Sequence, residues 1–237
     1  MAAGIEIYND YGVPQLLNDR GINLVYITHG TMSVGSNAGA TGTGGSVFLG
    51  NAPYPYIVFI RCNSGSAYAF GSTSGWFWHM SQGTTSFQYW IYGRPTASGN
   101  CGFQVWNADG TMQWDASQRP LNMYGLVNMN GAVPPQQNSE TSTTNNLGTL
   151  TFNGWNNAAY CMSNMAPVLD IYTYTGGGNV IRANMRYAAH ISTPNATQVQ
   201  LVYTRVASNR SNSLGSNTSS SAFRSSLPSF LLASNTF

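Results

Sequence analysis

The chain has 237 residues, of which only 7% are Asp, Glu, Lys or Arg, against roughly 25% in ordinary soluble proteins. It has no lysine, and its formal net charge of +2 is spread too thinly along the sequence for the clustered cationic footprint of a nucleic-acid binder. Aromatic residues reach 13%, with 14 Tyr and 6 Trp, which excludes a disordered chain. Abundant Gly, Ser, Thr, Asn and Tyr suit twisted sheets with polar faces, whereas Ala, Leu, Glu and Lys, the residues that favour helices, do not dominate. The fold class expected is all-β.

In chain order, the opening residues Met1 to Glu6 lack the basic and apolar regions of a secretory leader. Gly4-Ile5-Glu6-Ile7-Tyr8-Asn9-Asp10-Tyr11-Gly12-Val13-Pro14-Gln15-Leu16 alternates as a strand, turns at Asn9 to Gly12, and resumes near Val13. Residues 35 to 45 form a polar stretch, read as a long loop. Tyr56-Ile57-Val58-Phe59-Ile60 and Phe87-Gln88-Tyr89-Trp90-Ile91-Tyr92 read as strands. Between them lies Trp76-Phe77-Trp78-His79. In a strand, Trp76 and Trp78 share one face, suited either to filling a core or to binding by aromatic stacking. Trp76, Phe77 and Trp78 are therefore binding candidates.

Gly102-Phe103-Gln104-Val105-Trp106-Asn107-Ala108-Asp109-Gly110-Thr111-Met112-Gln113-Trp114 repeats the first motif at an offset of 98 residues. Gly, Asn, Gly and Gln are identical at matched places. Asn starts a turn through its side chain and Gly takes a positive φ, so the kept residues serve the backbone. One inserted residue later, Arg20-Gly21-Ile22-Asn23-Leu24 matches Arg119-Pro120-Leu121-Asn122-Met123, and Ile91 to Arg94 pairs with Val202 to Arg205 as the unit ends. Residues 136 to 148 are a second polar stretch. Residues 169 to 174, 180 to 187 and 198 to 203 follow as antiparallel strands, the first two joined through Gly176 to Asn179.

From Ser208 to Ser221 the chain is a Ser/Asn tract with the character of a linker. The apolar end Leu227, Phe230, Leu231, Leu232 and Phe237 follows. Such side chains gain about 1.5–3 kcal/mol each on burial, so this segment is expected to dock on a neighbouring subunit, the alternative being that it folds back as one more strand on its own second domain. The organisation expected is two tandem, duplicated β-sandwich-like domains (1–95 and 96–207) with an extended C-terminal tail (208–237).

Little chemistry is visible. Cys62, Cys101 and Cys161 lack metal or redox spacing, and His29, His79 and His190 lie far apart. The seven acids offer no evident pair, and no strand-to-helix nucleophile elbow stands out. No catalytic residue, metal site or cofactor is expected. No stretch approaches the roughly 20 apolar residues of a membrane span, so neither membrane insertion nor nucleic acid is an expected partner.

The motif Gly4 to Asn9 with Gly12 and Gln15, and its second copy at Gly102 to Gln113, resembles small tail-tip and tail-fibre-associated proteins of tailed bacteriophages. It covers about the first 30 residues of each copy. The resemblance implies a virion tail component, assembled in the host cytoplasm, whose partners are itself and other tail proteins, with contact to a host-surface glycan or protein as a further role. A receptor- or carbohydrate-binding module, and a capsid decoration or tail-tube subunit, are the alternatives.

Overall fold

A computed structural model describes residues 7–8, 14–16, 24–33, 43–48, 56–71, 76–82, 86–96, 103–128, 144–151, 158–162, 168–176, 179–213, 221–224 and 229–234. Among them there are strands and turns but no helix. The strands are β1 (Ile7–Tyr8), β2 (Pro14–Leu16), β3 (Val25–Ser33), β4 (Thr43–Phe48), β5 (Tyr56–Arg61), β6 (Ser66–Gly71), β7 (Trp76–Gln82), β8 (Ser86–Gly93) and β9 (Gln104–Trp106). They continue as β10 (Met112–Asp115), β11 (Met123–Asn128), β12 (Thr144–Thr151), β13 (Ala158–Met162), β14 (Val168–Gly176), β15 (Asn179–Asn195), β16 (Gln198–Ser213), β17 (Ser221–Arg224) and β18 (Ser229–Ser234). The all-β expectation holds, and every pairing is antiparallel.

Two large sheets dominate. One has the order β11-β18-β13-β5-β8-β3 and the other β12-β16-β15-β6-β7-β4, with β14 added beside β15 and β17 beside β14. The order β5-β8-β3 in the first half thus recurs as β13-β18-β11, and β6-β7-β4 recurs as β15-β16-β12. Counterpart strands meet in the middle of each sheet: β5 pairs β13 at Ile60 and Tyr160, and β6 pairs β15 at Ala67 and Ile191. The small hairpins agree as well. Ile7 faces Leu16 and Tyr8 faces Pro14, while 98 residues on Val105 faces Trp114 and Trp106 faces Met112, with a register shift between the two pairs in both cases.

The halves are not separate bodies. Phe59, Trp90 and Tyr92 share a buried cluster with Leu121 and Ala159. Leu121 reaches it because the segment after β10 lies against the start of β3. Tyr26 N–H donates to the Arg119 carbonyl at 2.8 Å and Leu121 N–H donates to the Leu24 carbonyl at 2.7 Å. Pro120, bridged to Val25, has no N–H to leave unpaired. Where β3 passes β8, Gly30 lies opposite Tyr89, and a Cβ there would come within 2.6 Å of the phenol oxygen. The tyrosine ring occupies the space that glycine leaves.

The C-terminal expectations need correction. Residues 208–213, read as linker, belong to β16, which pairs with β15 as far as Ser213 opposite Val180. Phe230, Leu231 and Leu232, read as a docking tail, lie in β18 between β11 and β13 of the same chain. Leu227 and Phe237 lie outside the described residues. Lying between two partners, β18 has both of its backbone edges paired. β18 therefore holds the sheet place that β8 holds in the first half, and β16 that of β7. The match of Val202–Arg205 to Ile91–Arg94 joined strands of different sheets.

Removing residues 229–237 is expected to abolish cooperative unfolding, because β11 and β13 both lose their shared neighbour. A denaturant curve indistinguishable from that of the intact chain would contradict this placement of β18.

Candidate functional site

The residues that present themselves to solvent in a chemically unusual way are on the second hairpin. Its turn is built by Asn107-Ala108-Asp109-Gly110. The Asn107 carbonyl accepts from Gly110 N–H at 3.0 Å, and Asn107 N–H donates to the Thr111 carbonyl at 2.8 Å. Gly110 has φ +80°, a value that costs any residue with a β-carbon. The Asp109 carboxylate accepts from Thr111 N–H at 2.9 Å and from its hydroxyl at 2.6 Å. These bonds, the hydroxyl one foremost, hold the Asp109 carboxyl below its usual range, and the Arg94 charge adds to the effect.

The base of the hairpin is equally fixed. Asp115 is fully buried. One carboxylate oxygen accepts from Ser117 N–H at 2.8 Å and from its hydroxyl at 2.6 Å, and the other accepts from the Gln104 amide at 3.0 Å. Ala116 N–H closes back on the Phe103 carbonyl at 2.9 Å. Met112 and Gln113 are buried while Phe103 and Trp106 are each 49% exposed. Phe103 leans on Trp114, ring centres 5.8 Å apart. A rigid turn thus holds large apolar surface in water, a feature associated with contact sites.

Sequence reasoning had singled out a different aromatic run. Trp76, Phe77 and Trp78 form the start of β7, paired on one side with β4 (Phe48 to Trp76, Ser46 to Trp78) and on the other with β6 (Phe70 to Trp78). His79 is buried and meets Phe87 of the other large sheet with ring centres 5.5 Å apart. Positions 76 and 78 alternate with His79 and so belong to the opposite face of the strand. Phe103 and Trp106 were passed over because they sit in the repeated motif, where the conserved turn drew the reading. The signal available was the enlargement of Ile5 and Tyr8 to Phe and Trp at matched places.

Several buried polar groups lie at the seam between the halves. Cys62 N–H donates to the Thr193 hydroxyl at 2.9 Å, and Thr193 N–H donates to the Cys62 carbonyl at 2.8 Å. Cys62 and Cys161 are not disulfide-bonded, and burial pushes the Cys161 thiol up to about 12, where it is a poor nucleophile. His190 is fully buried with Nδ1 3.4 Å from the Ser66 hydroxyl, and its Nε2 has no hydrogen-bond partner. Ser66 and His190 are both buried, so this contact is enclosed. Burial lowers the His190 pKa to about 4 and also lowers that of His79.

Among the described residues no group of three His, Cys, Asp or Glu could hold a metal ion, and no helix is long and apolar enough to cross a membrane. Comparison with protein-family models, with curated proteins and with solved structures found no match to the chain.

Two outcomes test this description. Gly110→Val is expected to lower stability by about 1 kcal/mol or more, read as a lower denaturation midpoint. The lowered His190 pKa makes the folded state resist a proton that the unfolded chain accepts. Its stabilisation is therefore intact above pH 6.5 and is lost as pH falls towards about 4, on the order of 3 kcal/mol in all. His190→Leu should flatten the pH dependence of the denaturation midpoint across that window, leaving the smaller slope from His79.

Proposed function

We propose that this chain is a non-catalytic structural protein of a bacteriophage tail, tip- or fibre-associated, which acts by assembling with copies of itself and with other tail proteins and by meeting the host surface. The observation that carries this reading is the recurring strand order across the seam, β5-β8-β3 with β13-β18-β11 and β6-β7-β4 with β15-β16-β12. We read it as two copies of one sandwich-like unit fused edge to edge, with β14 and β17 added in the second. Such a body offers neighbours two related sets of contacts, an advantage in a symmetric assembly. The motif that resembles tail-tip proteins is the one that opens each copy. Buried polar groups such as Asp115, Thr193 and His190 are committed to turns and to the seam, which favours an architectural role over a catalytic one.

The exposed Phe103 and Trp106 favour contact through the second hairpin, and the same pair is what supports the alternative of a receptor- or carbohydrate-binding module. Copy number and position in purified particles would distinguish a tail component from a capsid decoration or tail-tube subunit. Phe103→Ser with Trp106→Ser is expected to change stability by no more than about 0.5 kcal/mol while reducing incorporation into particles. Normal incorporation of a folded double variant would remove the hairpin from the assembly contacts, and absence of the intact chain from particles would end the tail reading.

A further inference from the structure

The strands that end the two large sheets are β3 and β11 in one, β4 and β12 in the other. His79 of β7 meets Phe87 of β8, ring centres 5.5 Å apart, so their outward neighbours β4 and β3 finish at the same end of the body. The recurring strand order brings β12 and β11 to the other end. Among the described residues, 28–33, 43–48, 123–128 and 144–148 pair along one side only. The start of β3 is closed separately, by the Val25–Pro120 bridge and the Arg119 carbonyl. Side chains at both ends reach water: His29, Thr31 and Ser33 on β3, and Thr149 and Thr151 on β12, are exposed.

These four strands lack the usual protection. Proteins that stay apart blunt their sheet edges with charged residues or proline. β3, β4, β11 and β12 contain no Asp, Glu, Lys, Arg or Pro. In the two large sheets, charge belongs instead to strands with a neighbour on each side: Arg61 in β5, Asp170 in β14, Arg182 and Arg186 in β15, Arg205 and Arg210 in β16. The one outer strand with a charge is the short β17, whose Arg224 shares a cross-strand row with Arg205 through Val168 and Tyr187. Charge is thus withheld from the four edges that are counterparts of one another.

The seam shows which occupant fits. There β5 pairs antiparallel with its counterpart β13 while β6 pairs antiparallel with its counterpart β15, so one join serves both sheets. The outer edges can repeat that join between copies. Each main sheet path has six strands, every neighbouring pair antiparallel, so its two end strands run in opposite directions. A second copy in the same strand orientation therefore sets its β11 antiparallel to β3 and its β12 antiparallel to β4. Pairing β3 with β3 about a two-fold axis is also antiparallel, but it leaves β11 and β12 without a neighbour. Head-to-tail contact uses both ends of every copy and closes when the rotation between copies completes a ring.

We propose that copies of this chain assemble head to tail into a ring of three or more, β3 and β4 of one copy pairing with β11 and β12 of the next. This names the partner and the surfaces for the self-assembly proposed above and rests on that reading for its biological setting. Its test is made on the purified full chain, so its failure leaves the tail reading to the particle experiment.

Sedimentation and native mass spectrometry over a range of concentrations should show one discrete oligomer of at least three copies. Neighbouring N–H groups of a strand point to opposite edges, so of Thr31→Pro and Met32→Pro one removes a bond to β8 and the other removes only an outward donor. The outward variant should keep its melting midpoint and weaken association about tenfold or more, while the inward one should melt earlier. Cross-linking decides the matter even where neither proline variant folds. Copies carrying Thr31→Cys, mixed with copies carrying Leu126→Cys or Val127→Cys, should form a disulfide between β3 and β11 with at least one of the two. Thr31→Cys copies alone should form none beyond the background of the native cysteines. A monomer at every concentration, a dimer, cross-linking of Thr31→Cys copies to each other, no β3–β11 cross-link, or an oligomer unaffected in a folded outward proline variant would overturn the proposal.

Discussion

Each half of this chain contributes three neighbouring strands to each large sheet, and the fold depends on how the inner edges of these arrays meet. An unpaired edge exposes a row of backbone donors and acceptors and invites aggregation. Here β5 meets β13 at Ile60 and Tyr160, and β6 meets β15 at Ala67 and Ile191, so one edge of each array in one half joins its counterpart in the other. The pairing is pinned by the reciprocal Cys62 and Thr193 hydrogen bonds and sealed by residues with almost no exposure, among them Ile60, Ala67, Tyr160 and Ile191. His190 belongs to the same seam. Its burial as a neutral ring ties the integrity of this join to pH, because a proton there must be accommodated without water.

Closing the edges in this way leaves one strand to arrive last. β8 follows β7 after three residues, whereas β18 follows β16 only after fifteen, β17 among them. β18 lies between β11 and β13, so the six-stranded sheet stays divided until β18 has been made. Pairings between residues so distant in sequence form slowly, since loop closure precedes any reward from contacts. The apolar character of Phe230, Leu231 and Leu232 supplies part of that reward. The same residues invite a reading as an assembly anchor when the sheet is not in view.

The second half differs from the first chiefly by what is added to it. Past the points where β12 and β6 pair, β15 and β16 run on, with β14 beside β15 and β17 beside β14, and these four strands contain five of the nine arginines. The seam holds the fully buried residues, while the half-exposed aromatics Phe103 and Trp106 stand on a separate hairpin.

Local chemistry was legible in the sequence. The strand at Ile7 and Tyr8 and that of Gln104 to Trp106, the Asn107 and Gly110 of the second turn, and the strand runs at residues 56–60, 87–92 and 198–203 reappear in β1, β9, β5, β8, β16 and the turn after β9, because side-chain alternation and turn geometry are set by neighbours along the chain. The 98-residue offset was also legible, since it is a property of the text. The partners of each strand were not. That β18 completes a sheet begun more than a hundred residues earlier, that β16 runs on through a Ser/Asn tract, and that Arg205 and Arg224 stand in one row all follow from hydrogen-bonded register between distant segments. The backbone groups that make those bonds are the same in every residue type, so residue identity alone leaves strand pairing open; burial and edge closure in the folded chain decide it.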